Sequence, residues 1–297
     1  MQRLCIAGIG MDSRFRGSDE GGMSAAVFFA VLFAAALHAG WNALVRTGLD
    51  RFSSILFLAL VQGGIALLLL PFFGLPSRAA WPWVLAGSAL HSGYKLALIR
   101  AYGHGDLSQI YPLSRGSAPL IVAIAGALFL GEKMDMARSA AVIAIASGIM
   151  LMAGRGGLTR TGLFWALITA GFTAAYTLAD GVGARIAGSA SAFILIMIVL
   201  DGAIMLAYGL AARGPRGLAA MLPAWRGGLA AGAMSLGAYW IAIWAFTLAP
   251  LAMVAALRET SVLFAMLIAA VLLKERLTAR RWAAGALILA GVVLMRV

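Results

Sequence analysis

From Met23 onward the sequence is a succession of about ten apolar segments, each about long enough to cross the roughly 30 Å of hydrocarbon in a bilayer. The expected spans are 24–46, 53–74, 82–102, 108–131, 137–154, 161–182, 191–212, 227–247, 250–273 and 281–296. Connections such as "GHGD" and "LAP" leave no room for a soluble domain. Unbroken apolar runs favour helices, because the strands of a membrane barrel alternate apolar with polar residues. The expected fold is an all-α integral membrane protein of ten transmembrane helices. Composition agrees: 63% of the 297 residues are hydrophobic and 11% are charged, against about 25% charged in a soluble domain.

Charge and cysteine content exclude several functions. The formal charge of +12 falls mostly in the short breaks, where Lys and Arg flank bilayer helices and meet anionic head groups. That placement argues for a lipid partner and against nucleic acid. A single cysteine, Cys5, excludes an intramolecular disulfide, and no Cys/His array suggests a metal. Three histidines without a Glu-x-x-His or His-x-x-Glu-His cluster speak against a membrane metalloprotease. Neither a Ser/His/Asp set nor a Gly-rich nucleotide loop stands out, so no enzyme and no cofactor is expected. Trp81, Trp83, Trp165, Trp225 and Trp282 begin spans, where aromatic rings favour the membrane interface. Residues 1–22 contain an apolar run too short to span and the polar stretch "DSRFRGSDEGG". They read as a disordered tail, and "DSRFRGSDE" resembles a translated bacterial intergenic repeat, which would place the biological start at Met23.

An internal repeat organises the rest. Arg115 and Arg258 lie 143 positions apart, as do Glu132 and Glu275, Gly148 and Gly291, and Met152 and Met295. Just upstream the offset is 144, pairing Gly93 with Gly237, Ala101 with Ala245 and Tyr102 with Phe246. The chain therefore divides into halves at 23–155 and 156–297, each of about five helices. Five is odd, so the second half enters the membrane from the opposite side. Transporters built as inverted repeats hold their substrate near the midplane, between the halves.

The polar residues inside the spans are the candidate site. Ser108, Tyr111 and Arg115 recur at helical spacing on one face, and Arg258 holds the equivalent place in the ninth span with Ser261 nearby. A charge near the bilayer centre costs at least about 2.5–3.5 kcal/mol, so both arginines should face the interior. Symmetry brings them together near the pseudo-two-fold axis, beside a central cavity. Pro112 and Pro119 remove backbone donors and free carbonyls that a cavity could hydrate, whereas Pro250 reads as a helix start.

Lys95 and His91 lie one turn apart with Tyr94 nearby, and Asp201 sits mid-span. Two readings stand for these charges: internal ion pairs that fix packing, such as Asp201 with Lys95 or Glu259 with Arg115, or an anion clamp and proton carriers. His38, Trp41 and Asn42 form a polar stretch in the first span, matched in the sixth by Tyr176 and Asp180. Asp180, near Arg185, reads as a solvated charge at a helix end. Tyr239, Trp240 and Trp244 line a cavity or fill the core. Glu132 and Glu275 read as capping or interfacial ion pairs at span ends.

Two stretches carry a family resemblance: "AYGHGDLSQIYPLSRGSAPL" with "LFLGEK", and "AFTLAPLAMVAALRETSVLF" with "VLLKER". They resemble the drug/metabolite transporter superfamily, specifically EamA-type transporters with ten helices in two repeats. "GDLSQIYPLSRGSAP" and "ALRETS" are also similar to a subgroup associated with phosphonate utilisation. The resemblance implies a multi-pass protein of the bacterial inner membrane with both termini cytoplasmic. Lys and Arg lean mildly the other way, with Arg213, Arg216, Arg226, Arg280 and Arg281 on the opposite side.

The expected function is secondary transport, export of a small anionic or zwitterionic solute by alternating access. Arg115, Arg258, Lys95, Tyr111, His91, Tyr94, Trp41, Asn42 and Tyr239 would bind the solute, and Asp201, Glu259 and His38 would carry coupling protons. Export of hydrophobic or cationic drugs and a non-transporting scaffold are the alternatives. Nothing in the pattern sets an oligomeric state.

Overall fold

A computed structural model describes residues 23–44, 49–104, 107–132, 134–153, 159–271, 274 and 278–295. The tail 1–22, Arg46, Lys133, Arg155, Glu275, Arg276 and Arg296 lie outside them, as does the side chain of Ser108. The described residues are helical and contain no strand. Helices α1 (Ala25–Leu44), α2 (Arg51–Phe73), α3 (Trp81–Gly103), α4 (Leu107–Ala125) and α5 (Met136–Leu151) make the first half. The second half holds α6 (Arg160–Ile186), α7 (Ala190–Ala219), α8 (Trp225–Phe246), α9 (Leu251–Arg258), α10 (Ser261–Val271) and α11 (Ala279–Leu294). α9 and α10 are the two parts of one span, Leu251–Val271, so the elements make ten spans.

Local signals start these helices where the sequence supplies a cap. The side chains of Asp50, Asp135, Thr159, Ser189 and Thr278 each accept a backbone N–H in the first turn of α2, α5, α6, α7 and α11. Among the described residues, seven helical stretches are long and apolar enough to cross a membrane by themselves. α3 has comparable length, 23 residues, but carries His91, Lys95 and Arg100. Its polar face is inside: Ser88, His91, Ser92 and Lys95 are buried. The outer surface is the apolar one, with Phe72 81% and Phe129 77% exposed, an arrangement that suits lipid and not water. Trp225 and Trp282 are exposed on that surface, while Trp81, Trp83 and Trp165 are half-buried.

The contacts between the halves come in equivalent pairs. α3 packs on α6 as α8 packs on α1; α3 packs on α7 as α8 packs on α2; α4 packs on α6 as α9 and α10 pack on α1. α2 meets its own equivalent α7, α4 meets α9, and α5 meets α11, as elements beside a two-fold axis must. Glycines make the closest of these contacts. A Cβ on Gly148 would lie 2.9 Å from the carbonyl oxygen of Ala284 and 2.6 Å from Ile288; one on Gly291 would lie 2.8 Å from that of Ala141 and 2.7 Å from Ile145. All three pairings obey the 143-residue offset. Gly63 and Gly202 face each other at the α2–α7 crossing, where an added Cβ would meet the other glycine's Cα at 3.2 and 3.1 Å.

Two spans are locally irregular. α4 runs through Pro112 and Pro119 without ending, continues as a π turn at Gly126–Leu130, and ends at Gly131 in the left-handed region (φ 66°). The ninth span, with no proline or glycine inside it, breaks at Glu259–Thr260. There the amides of Glu259, Thr260, Val262 and Leu263 bond three residues back, so the regular four-residue ladder is interrupted at the level of the arginines.

Candidate functional site

Three polar clusters meet in the bundle interior. The first joins α4, α1 and the α9–α10 break. Arg115 Nε stands 2.9 Å from Glu259 Oε2, with the residues 4% and 5% exposed. The contact is an ion pair without hydrogen-bond alignment, since neither atom has a hydrogen-bond partner. Arg115 also donates from its terminal nitrogen to His38 Nε2 at 3.2 Å. Guanidinium has no acceptor, so Nε2 of His38 is the unprotonated nitrogen and the ring proton is on Nδ1. The Tyr111 ring lies 5.8 Å from the Arg115 guanidinium, which places both on the face that the sequence spacing predicts.

The second cluster joins α3, α6 and α8. His91 Nε2 lies 2.8 Å from Asp180 Oδ2 and 3.2 Å from the Tyr239 hydroxyl, and Tyr239 donates to the same carboxylate oxygen. His91 stacks on Tyr176 with centroids 4.0 Å apart, and Tyr94 meets Tyr176 edge-on at 5.6 Å. Asp180 is fully buried, which corrects the reading of it as a solvated charge. α6 continues to Ile186, beyond the expected end of the span, so Asp180 lies inside the helix and against α3. Gly87 makes room for it: a Cβ there would lie 2.5 Å from Asp180 Oδ1.

The third cluster joins α3 and α7. Lys95 pairs with Asp201 Oδ2, and Ser92 donates to Oδ1 at 2.8 Å. Both ion pairs that the packing reading named are therefore formed.

Arg258 behaves differently from its repeat-equivalent. Its guanidinium lies over the Tyr239 ring, 4.7 Å from the centroid, and among the described residues it has no carboxylate within salt-bridge distance. It borders a small void with Ala118, Pro119, Thr173, Tyr176 and Glu259, of about 10 Å³, room for about one water molecule. The expected central cavity is thus nearly closed, because Glu259 occupies the space in front of Arg115. Two buried polar atoms nearby, Trp41 Nε1 and Ser261 Oγ, have no hydrogen-bond partner. Asn42 turns to its own helix and donates to the His38 carbonyl at 2.8 Å. A larger cleft, about 140 Å³, lies elsewhere, between Leu44 and Leu49 with the first turns of α2 on one side and the start of α8 on the other.

At one end of the bundle polar contacts tie α6 and the end of α8 to the start of α9. Glu132 accepts from the first amide of α9, Leu251, at 3.0 Å, and pairs with Arg185 at 2.9 Å; Arg185 Nε donates to the Phe246 carbonyl at 2.9 Å. A carboxylate at that helix start satisfies an orphan donor and the helix dipole. At the opposite end Arg51 donates to the carbonyl of Tyr102 at 2.9 Å, the repeat counterpart of Phe246.

These features define a multi-pass helical membrane protein whose two five-span halves enclose a charged centre. Residues 160–297 match the profile of the EamA-like transporter family. A 79-residue stretch is 38% identical to a Sinorhizobium protein named "Uncharacterized transporter in cobO 3'region", covering 27% of this chain and 55% of that protein. The chain thus spans about half the length of the curated relative it matches. A solved crystal structure superimposes with a TM-score of 0.71 at 16% identity, covering 91% of this chain and 94% of the other, and shows the fold alone. The matches speak for the superfamily and not for the phosphonate-associated subgroup.

Proposed function

We propose that the chain is a secondary transporter that exports a small anionic or zwitterionic solute, such as an amino acid or a phosphonate-like acid, as the halves 23–155 and 156–297 rock about the midplane. Arg258 is the group that meets the solute's anion. The charge balance supports this reading: Arg115 and Lys95 are neutralised by Glu259 and Asp201, whereas Arg258 faces only a ring and a void. A guanidinium suits carboxylate or phosphonate, which it can engage with two parallel hydrogen bonds. The start of α10 supports it too. The helix begins at the centre with Ser261, whose buried hydroxyl has no partner, and a helix N-terminus favours an anion. Arg115, Tyr111 and Tyr94 then shape the site, and Lys95 and Asp201 hold α3 to α7.

The test is ligand-induced thermal stabilisation of the purified protein with amino acids, organophosphonates and lipophilic cations. Stabilisation by the acids that disappears in Arg258→Ala supports the reading. Stabilisation by lipophilic cations alone, unchanged in Arg258→Ala, overturns it.

A further inference from the structure

We infer that His91, Asp180 and Tyr239 form a proton-binding site coupled to the anion site at Arg258, so that the protein takes up one proton with each anionic charge it binds. The inference rests on the anion reading of Arg258 and adds to it the identity of the co-bound ion.

The argument is one of charge and position. Of the buried carboxylates, Asp201 faces Lys95 and Glu259 faces Arg115. Asp180 has neither cation; its neighbours are His91 from α3 and Tyr239 from α8. Arg258, from α9, lies over the other side of the same Tyr239 ring. Asp180 and Arg258 are thus an anion and a cation held apart by one aromatic ring, each completing the other's neutrality at a distance. Tyr176, the further titratable group on α6 against His91, stacks on it and carries no charge while its hydroxyl is protonated. From α4, Arg115 is already neutralised by Glu259.

With Asp180 ionised and His91 neutral, the cluster holds two protons between its three polar groups. Tyr239 O–H donates to Asp180 Oδ2, and His91 Nε2–H donates to the same oxygen. Asp180 Oδ1 is buried and receives no hydrogen bond. A third proton has two places to go, Asp180 Oδ1 or His91 Nδ1, and either removes the negative charge that balances Arg258. The centre is then left with one net positive charge in a low-dielectric interior, where an uncompensated charge is costly. An anion on Arg258 removes that charge. Anion and proton therefore each favour the other, and linkage makes the effect reciprocal. Tyr239 is the element common to both sites, since its hydroxyl faces the carboxylate and its ring faces the guanidinium. A solute leaving down its own gradient would carry the proton with it.

Methanesulfonate is the probe, because it stays a monoanion at neutral and mildly acidic pH and any proton taken up must enter the protein. We expect binding, read by thermal stabilisation, to tighten from pH 8 to pH 6 by up to about tenfold per unit. Proton uptake of up to one per anion should appear in weakly buffered solution with an indicator dye. Asp180→Asn should abolish both the uptake and the pH dependence and hold methanesulfonate binding at its pH 6 strength across the range. Arg258-dependent binding without proton uptake overturns the coupling and leaves the anion reading standing. Uptake that persists in Asp180→Asn places the proton elsewhere and also overturns it.

A second comparison needs no anion. In Arg258→Gln, more of the His91–Asp180 pair should be protonated at pH 7 than in the parent protein, read from histidine ¹⁵N shifts and from the carboxylic-acid stretch by infrared spectroscopy. An unchanged protonation state refutes the coupling. A failure of methanesulfonate to bind together with a raised protonation in Arg258→Gln refutes the anion reading instead.

Discussion

Arg115 and Arg258 occupy equivalent places in the two halves, yet Arg115 sits 2.9 Å from a carboxylate and Arg258 sits over a tyrosine ring. The difference comes from a single neighbour. Glu259 follows Arg258 in the chain, but its repeat-equivalent after Arg115 is Gly116. Adjacent helical residues point about 100° apart, and the carboxylate crosses the axis to Arg115. Two arginines and one carboxylate thus leave one cation available.

Removing one partner of that pair strands a buried charge. Arg115→Ala and Glu259→Ala should each destabilise the protein by about 3–5 kcal/mol, seen as a lowered melting temperature in detergent. The double substitution Arg115→Met with Glu259→Met should recover much of the loss. Arg258→Met should be mild, because it breaks no ion pair. Equal destabilisation by Arg115→Ala and Arg258→Met would contradict the asymmetry.

The α5–α11 seam predicts matched effects at distant positions. A methyl on Gly148 meets the Ala284 carbonyl and a methyl on Gly291 meets the Ala141 carbonyl at nearly the same distance. Gly148→Ala and Gly291→Ala should each cost about 1–3 kcal/mol through overpacking. Melting temperatures of the two variants should fall by similar amounts, and a neutral result at one position alone would break the symmetry argument.

Asp50 gives a pH dependence outside the membrane span. Its hydrogen bond from Ser53 holds the carboxyl below its ordinary value, with Arg213 adding to the effect. A depressed carboxyl contributes stability above its unfolded value and loses it as pH falls through the folded one. The melting temperature of the parent protein should therefore exceed that of Asp50→Asn at pH 6, with the difference shrinking below about pH 4. Asp50 is half exposed, so the difference should be small. A gap that widens on acidification would refute this reading.

Much of this architecture was legible in the sequence. The apolar runs marked the spans, and the 143-residue offset anticipated the seam at Gly148 and Gly291 as well as the meeting of Arg115 and Arg258 in one interior. Both named ion pairs formed. Three features were hidden for physical reasons. Asp180 looked like a helix-end charge because the apolar pattern weakens there, but α6 runs on beneath Gly87; the cue was a glycine on a different helix. The break at Glu259–Thr260 has no proline or glycine to announce it, and only the adjacent Thr260 and Ser261 depart from the helix-favouring pattern. The closed centre was hidden because sequence spacing places side chains on a face without telling whether an opposing carboxylate fills the space in front of them.

The α2–α7 and α5–α11 crossings have a further consequence. Each is built from the same positions taken twice, Gly63 against Gly202 and Gly148 with Ile145 against Gly291 with Ile288. A surface that fits its own counterpart needs only one inventory of residues. Either five-span half therefore already holds both sides of these seams, and two copies of it, inserted in opposite senses, would be self-complementary along them.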